Sequence, residues 1–225
     1  MTSPSSWPKA LAAAPPELRC SLPFASCYVY APRADGLVSE GARSLCQRVK
    51  ASDPGWLPHY ARQVVELCAR DRPFQRLFTR DAWLIPVPGC TTASPASTVA
   101  CRLAIALHAL GLAKGVWPGV VRRVAVPRSA TAGVGERPTV RQHYESFAVE
   151  MAPTLPGRII LVDDVITKGR TLLAAAARLR GEFAHADIRA FALVRTTGFR
   201  TRVERLFAPC EGYVYWAGGD ARREP

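Results

Sequence analysis

The sequence predicts an α/β protein, a mainly parallel sheet flanked by helices. Three observations carry that expectation. Residues 159–162, Ile-Ile-Leu-Val, are an unbroken apolar run, as a strand buried on both faces requires. Leu172, Ala176 and Leu179 then recur at helical spacing. Residues 83–88, 120–126, 188–194 and 212–216 are further strand-like runs, and strands alternating with helices imply right-handed crossovers.

Each element has a local reason. Residues 1–20, rich in Pro, Ser and Ala, read as a poorly ordered start. Residues 21–80 form an amino-terminal segment of weak pattern. Within it Tyr60, Val64, Leu67 and Cys68 mark a helical face, after a turn at Pro54-Gly55 and before a stop at Arg72-Pro73. Val38, Leu45 and Val49 read as core. The run 83–88, Trp-Leu-Ile-Pro-Val-Pro, is a buried strand that Pro88 ends, because proline cannot donate to a central ladder. Ser94-Pro95 supplies a helix cap and first-turn proline, Val99, Leu103, Ala106 and Leu110 one face, and Gly111 the stop. Residues 127–146 lack apolar periodicity and read as a long mobile loop. Residues 81–225 thus hold the α/β core of a chain expected to form a single domain.

Composition narrows the class. With 225 residues and 48% hydrophobic content, the chain can bury one substantial core. No apolar run approaches the roughly 20 residues of a membrane helix, and Ala10 to Ala14 is too short for a signal core. Seven irregularly spaced cysteines fit reduced thiols, so a cytoplasmic location is expected. Cys20 and Cys27 are metal-ligand candidates on spacing alone, and weak ones. The net charge of +12 divides as +5, +3 and +4 over residues 1–80, 81–157 and 158–225. That even spread suits an anionic small molecule and also single-stranded DNA, with Arg122-Arg123, Arg195 and the group Arg200, Arg202 and Arg205 as local candidates. A solvated basic face is the plainer reading of each.

The chemistry concentrates in residues 159–171, Ile-Ile-Leu-Val-Asp-Asp-Val-Ile-Thr-Lys-Gly-Arg-Thr. A strand leads into Asp163-Asp164, then Val165-Ile166, then a short loop, Thr167, Lys168, Gly169, Arg170 and Thr171, that opens a helix. Helix amino termini attract phosphate. Gly169 permits close backbone approach, and the two threonines offer hydroxyls. Carboxylates accept hydrogen bonds from vicinal ribose hydroxyls, or hold Mg2+ through water. The Walker loop and the Gly-x-Gly-x-x-Gly dinucleotide pattern are both missing here.

This segment resembles the 5-phosphoribosyl-1-pyrophosphate (PRPP) motif of type I phosphoribosyltransferases. The resemblance implies that fold, with a small hood subdomain, and Mg2+ as cofactor. It makes Asp163 and Asp164 the ribose and catalytic contacts, with the metal held there through water or substrate. Val165 and Thr167 to Thr171 become the 5-phosphate loop, in which Lys168 replaces a residue that is usually small. Val49-Lys50, Pro86-Val87-Pro88, Arg137 to Gln142 and Asp163-Asp164 follow one another as in ComF-type, competence-associated members. The chain lacks their amino-terminal zinc module, having no Cys-x-x-Cys pair. Pro88, Gly89, Cys90, Thr91 and Thr92 would be the pyrophosphate loop, without the basic residue common there.

By the same resemblance Arg137, Arg141 and Gln142 would meet pyrophosphate or the acceptor from a catalytic loop, with His143 and Tyr144 available for proton transfer. Residues 24–50 would add strands to a hood that binds the acceptor. The implied reaction transfers phosphoribosyl from PRPP to a nitrogen nucleophile whose identity the sequence leaves open; ribose 5-phosphate is the simpler ligand. The alternative is a non-enzymatic ComF-like accessory of DNA uptake or processing that keeps the pocket. A homodimer is compatible with either.

Overall fold

A computed structural model describes residues 15–32, 35–51, 55–128, 136–198 and 203–225. Nine strands occur among them: β1 (Ser21–Tyr30), β2 (Trp83–Pro86), β3 (Gly115–Val116), β4 (Val120–Arg122), β5 (Phe147–Val149), β6 (Arg158–Ile166), β7 (Asp187–Thr196), β8 (Phe207–Ala217) and β9 (Asp220–Glu224). The helices are α1 (Leu37–Ala51), α2 (Leu57–Arg70), α3 (Arg72–Leu77), α4 (Val99–Ala109), α5 (Val140–Ser146) and α6 (Arg170–Glu182).

Seven strands form one sheet in the order β3-β2-β6-β7-β1-β8-β9. The first five run parallel; β8 is antiparallel to β1, and β9 to β8. The protein is therefore α/β, with a mostly parallel sheet covered by helices. Strand alternation divides the core. Ile159 and Leu161 face one apolar layer, with Leu172, Leu173 and Leu179 of α6. Ile160 and Val162 face the other, with Leu103 and Leu107 of α4 and Val64 and Leu67 of α2. Both faces of β6 are covered, which is why its sequence is continuously apolar.

The connections fix where a ligand can sit. From β2 the chain passes through α4 to β3, toward one sheet edge; from β6 it passes through α6 to β7, in the opposite direction. Right-handed crossovers running in opposite directions place α4 and α6 on opposite faces. The crevice between the carboxyl ends of β2 and β6 is thus the switch point of the sheet.

Several expectations change. Residues 21–30 form β1 in the middle of the main sheet, and 37–51 are helical, so 24–50 supplies no hood strands. Leu45 and Val49 pack the core as expected. Residues 1–14 lie outside the described residues, but Pro16–Leu18 is a 3-10 turn whose Leu18 is buried, so the start is anchored sooner than its composition suggests. The helix with Tyr60, Val64 and Leu67 stops at Arg70 as expected, and Pro73 then sits in the first turn of the short α3. Ser94 caps only the 3-10 turn Pro95–Ser97, and α4 is capped by Thr98, whose Oγ1 accepts from Cys101 N at 3.1 Å. The run 120–126 shortens to β4, which leaves the main sheet and pairs antiparallel with β5. In the expected loop 127–146, residues 140–146 are helical, closed by a reciprocal cap between Thr139 and Gln142. Residues 129–135 lie outside the described residues.

Candidate functional site

Two loops meet the switch-point crevice, residues 88–92 after β2 and residues 167–169 after β6. Val87 N still donates to Val162 O at 2.9 Å, so the first loop leaves the sheet directly beside the acidic pair. Asp163 and Asp164 are the last polar residues of β6 and both are half-buried. Each gives one carboxylate oxygen to the next main-chain N–H: Asp163 Oδ1 accepts from Asp164 N at 2.9 Å, and Asp164 Oδ1 from Val165 N at 2.8 Å. Neither is in an ion pair among the described residues. Burial, reinforced by the Asp164 charge, holds the Asp163 carboxyl well above the usual carboxylate range.

The flank of the acids comes from α1. Burial pushes the Cys46 thiol up to about 11, with the Lys50 charge opposing and the Asp164 charge adding to the rise. Cys46 of α1 therefore lies within electrostatic reach of Asp164.

Beyond the acids, β6 continues to Ile166 and the chain turns through Thr167, Lys168 and Gly169. Gly169 is the N-cap of α6, with φ +83°. That left-handed backbone suits glycine, and the missing Cβ makes room for Val214 of β8, whose Cγ1 would lie 2.6 Å from it. No side chain caps the first turn of α6 among the described residues, so its leading N–H groups are open to an anion.

Lys168 is exposed and pairs with a carboxylate of the carboxyl-terminal hairpin. Its Nζ lies 2.8 Å from Asp220 Oδ2. Arg170 grips the same carboxylate with Nε on Oδ1 and Nη2 on Oδ2, and its Nη1 donates to Pro138 O at 3.0 Å. Burial raises the Asp220 carboxyl, but the hydrogen bonds from Arg170 and Lys168 outweigh it and bring it down to about 2. Thr167, Lys168, Asp220, Arg222 and Arg223 line a cleft of about 460 Å3 beside the loop.

The other predicted residues are less gathered. Arg137 is exposed and meets Arg170 only through its carbonyl, at 3.5 Å. Arg141 is exposed, with Nε on Glu145 at 2.9 Å, and Gln142 is used in the cap of α5. His143 is buried, and its Nδ1 accepts from Arg122. Tyr144 lies under the Arg178 guanidinium. Of the DNA candidates, Arg122 is buried, Arg123 pairs with Glu150 at 2.6 Å, and Arg195 donates to Ser26 Oγ. Arg205 is exposed; Arg200 and Arg202 lie outside the described residues. Cys20 and Cys27 are buried, and no group of three metal-binding side chains occurs among the described residues. No helix there is long and apolar enough to cross a membrane.

Asp220 escaped the sequence reading, and Arg122 entered it only as a nucleic-acid candidate. The signal for Asp220 was present: Gly218-Gly219, both at positive φ, is a two-residue hairpin turn between alternating strands. Nothing local distinguishes Arg122 from a surface arginine.

The site and fold define an α/β protein with an acidic strand end and two loops at a sheet switch point. No protein-family model matches the chain, and no curated protein matches it in sequence.

Proposed function

We propose that the chain has a type I phosphoribosyltransferase fold, binds PRPP, and transfers its phosphoribosyl group to a nitrogen nucleophile. The C1–O bond to pyrophosphate breaks, the C1–N bond forms, and pyrophosphate leaves with the electron pair. The observation that carries this reading is the meeting of the 88–92 loop, the acidic pair and the amino terminus of α6 at the one crevice where such sheets bind ligands. The two carboxylates would accept the ribose hydroxyls, and the leading N–H groups of α6 with Thr167 and Thr171 would hold the 5-phosphate. The 88–92 loop would face the diphosphate.

The donor set fits Mg2+. Asp163 and Asp164 each keep one hard oxygen free of main-chain bonds, and Mg2+ is commonly held by one or two carboxylates plus substrate oxygens and water. When bound, it would neutralise charge on the leaving pyrophosphate. The residues' own part is to orient the ribose and fix its 5-phosphate.

A second reading is a ComF-like accessory of DNA uptake or processing that retains the pocket without turnover. It is favoured by the 88–92 loop, which carries no cation of its own, and by Arg141, which is committed to Glu145. Calorimetric titration with PRPP and with ribose 5-phosphate, each with and without Mg2+, tests both. Binding that Asp163→Asn and Asp164→Asn abolish is expected; no binding of either ligand overturns the ribose-phosphate pocket. PRPP binding without pyrophosphate release for any base selects the second reading, as does a salt-sensitive mobility shift of single-stranded oligonucleotides.

A further inference from the structure

The 88–92 loop has no basic residue in sequence, yet a guanidinium lies against it. Arg122 Nε donates to Gly89 O, Nη1 to Ser146 Oγ, and Nη2 meets His143 Nδ1 at 3.2 Å. The guanidinium also lies 4.4 Å from the centre of the Phe147 ring. Ser146 donates its own proton to His143 O at 2.8 Å, so its oxygen is an acceptor toward Arg122. His143 Nδ1 is likewise an acceptor, which puts the ring proton on Nε2. Every partner is neutral, and no carboxylate pairs with Arg122 among the described residues. Arg122 is 4% exposed.

Such an arrangement is destabilising on its own. A cation taken out of water without a counter-ion costs several kcal/mol even after relaxation. A purely structural bridge between Gly89, Ser146 and His143 needs donors, which a neutral amide also offers. The charge therefore calls for a different account.

The loop geometry supplies one. Gly89 O is taken by Arg122, and Cys90 O accepts from Val126 N at 2.9 Å. A trans peptide directs its N–H opposite to its C=O. The N–H groups of Cys90 and Thr91 thus point away from Arg122 and Val126, and neither has an acceptor among the described residues. Two main-chain donors remain, joined through the Gly89 peptide to a fixed positive charge.

We propose that Arg122 is the missing cation of the 88–92 loop: a positioning residue that holds Gly89 O inward, turns the Cys90 and Thr91 N–H groups toward a diphosphate, and biases the loop for anions. This rests on the PRPP reading above and deepens it. Because Arg122 is buried, it acts through the loop and not by touching the ligand.

The test is calorimetry with Mg2+ on wild type, Arg122→Met and Arg122→Lys, using PRPP, inorganic pyrophosphate and ribose 5-phosphate. Arg122→Met is expected to weaken PRPP and pyrophosphate by about tenfold or more, the effect of one charge-assisted interaction, and to leave ribose 5-phosphate within about twofold. Arg122→Lys, which keeps the charge, is expected to recover part of that loss. Equal losses for all three ligands, no loss, or no recovery with lysine overturns the proposal. If Arg122→Met does not fold, Arg122→Gln takes its place under the same criteria. A wild type that binds PRPP while the variants show no selective loss sinks the role of Arg122 alone. Wild type that binds ribose 5-phosphate but neither diphosphate ligand sinks the role of Arg122 and the PRPP reading together, and leaves only a ribose-phosphate pocket. A wild type that binds none of the three sinks the PRPP reading and this proposal together.

Discussion

Arg170 and Asp220, fifty positions apart, form a two-pronged pair, with Nε on Oδ1 and Nη2 on Oδ2, both at 2.6 Å. Asp220 heads β9, and Arg170 is the first residue of α6, so the carboxyl-terminal hairpin is tied to the loop after the acidic strand. Lys168 adds a third bond to the same carboxylate, and Arg170 reaches on to Pro138 O.

Removing that carboxylate leaves a half-buried guanidinium without its partner. Asp220→Ala is expected to lower stability by about 1–3 kcal/mol, measured by urea unfolding at neutral pH. Its pH signature is specific. The folded carboxyl lies near 2, below the usual aspartate value, so its contribution is complete above about pH 4 and lost as pH falls toward 2. The difference between wild type and Asp220→Ala should shrink over that window.

His143 acts in a higher window. Burial, then the charges of Arg122 and Arg170, bring its pKa down to about 4. The unfolded ring protonates near its ordinary value of about 6.5. The unfolded state thus binds more protons between about pH 6.5 and 4, and wild-type stability falls as pH falls through that range. His143→Asn, which keeps an acceptor near Nδ1, should flatten this part of the urea-midpoint profile. An unchanged slope would remove His143 as its source.

Gly169→Ala meets two obstacles, a backbone at φ +83° and Val214 at 2.6 Å. The backbone alone costs about 1–2 kcal/mol, and overpacking adds about 1–3 more. Val214→Ala should relieve the second part only, so a double-mutant cycle read by thermal unfolding should give a coupling of about 1 kcal/mol or more.

Asp163→Asn should stabilise the free protein while removing ligand binding. Its raised pKa means that the folded state resists the ionised carboxylate, so stability declines as pH rises through the ordinary aspartate range. The gain should be present at pH 7, a rise in Tm of a few degrees for about 1 kcal/mol, and should vanish below about pH 4. A lower Tm at neutral pH would contradict the crowding of the two carboxylates.

Legibility in the sequence followed how local each cause was. Strand β6, its acids, the Gly169 turn and the α6 spacing lie within about two dozen consecutive residues, and all were readable. The cap of α4 was misplaced because Ser94 and Thr98 are both good caps and Pro95 begins only a 3-10 turn. The place of β1 was hidden because its neighbours are β7 and β8, far along the chain. Arg122 reads as surface until Gly89, His143, Ser146 and Phe147 close around it. Whether residues 137–142 approach the crevice depends on a long connection that no periodicity constrains.

The position of β1 also governs how the chain can be assembled. On the ribosome β1 precedes the other strands of its sheet, yet both of its ladders wait for residues 187–217. Until then a largely apolar ten-residue strand has two open edges, the condition under which nascent chains associate with one another. A product cut short before residue 187 would keep the acidic pair and both loops, yet its first strand would have no neighbour on either side. Completion of the central sheet is thus timed by synthesis of residues 187–217.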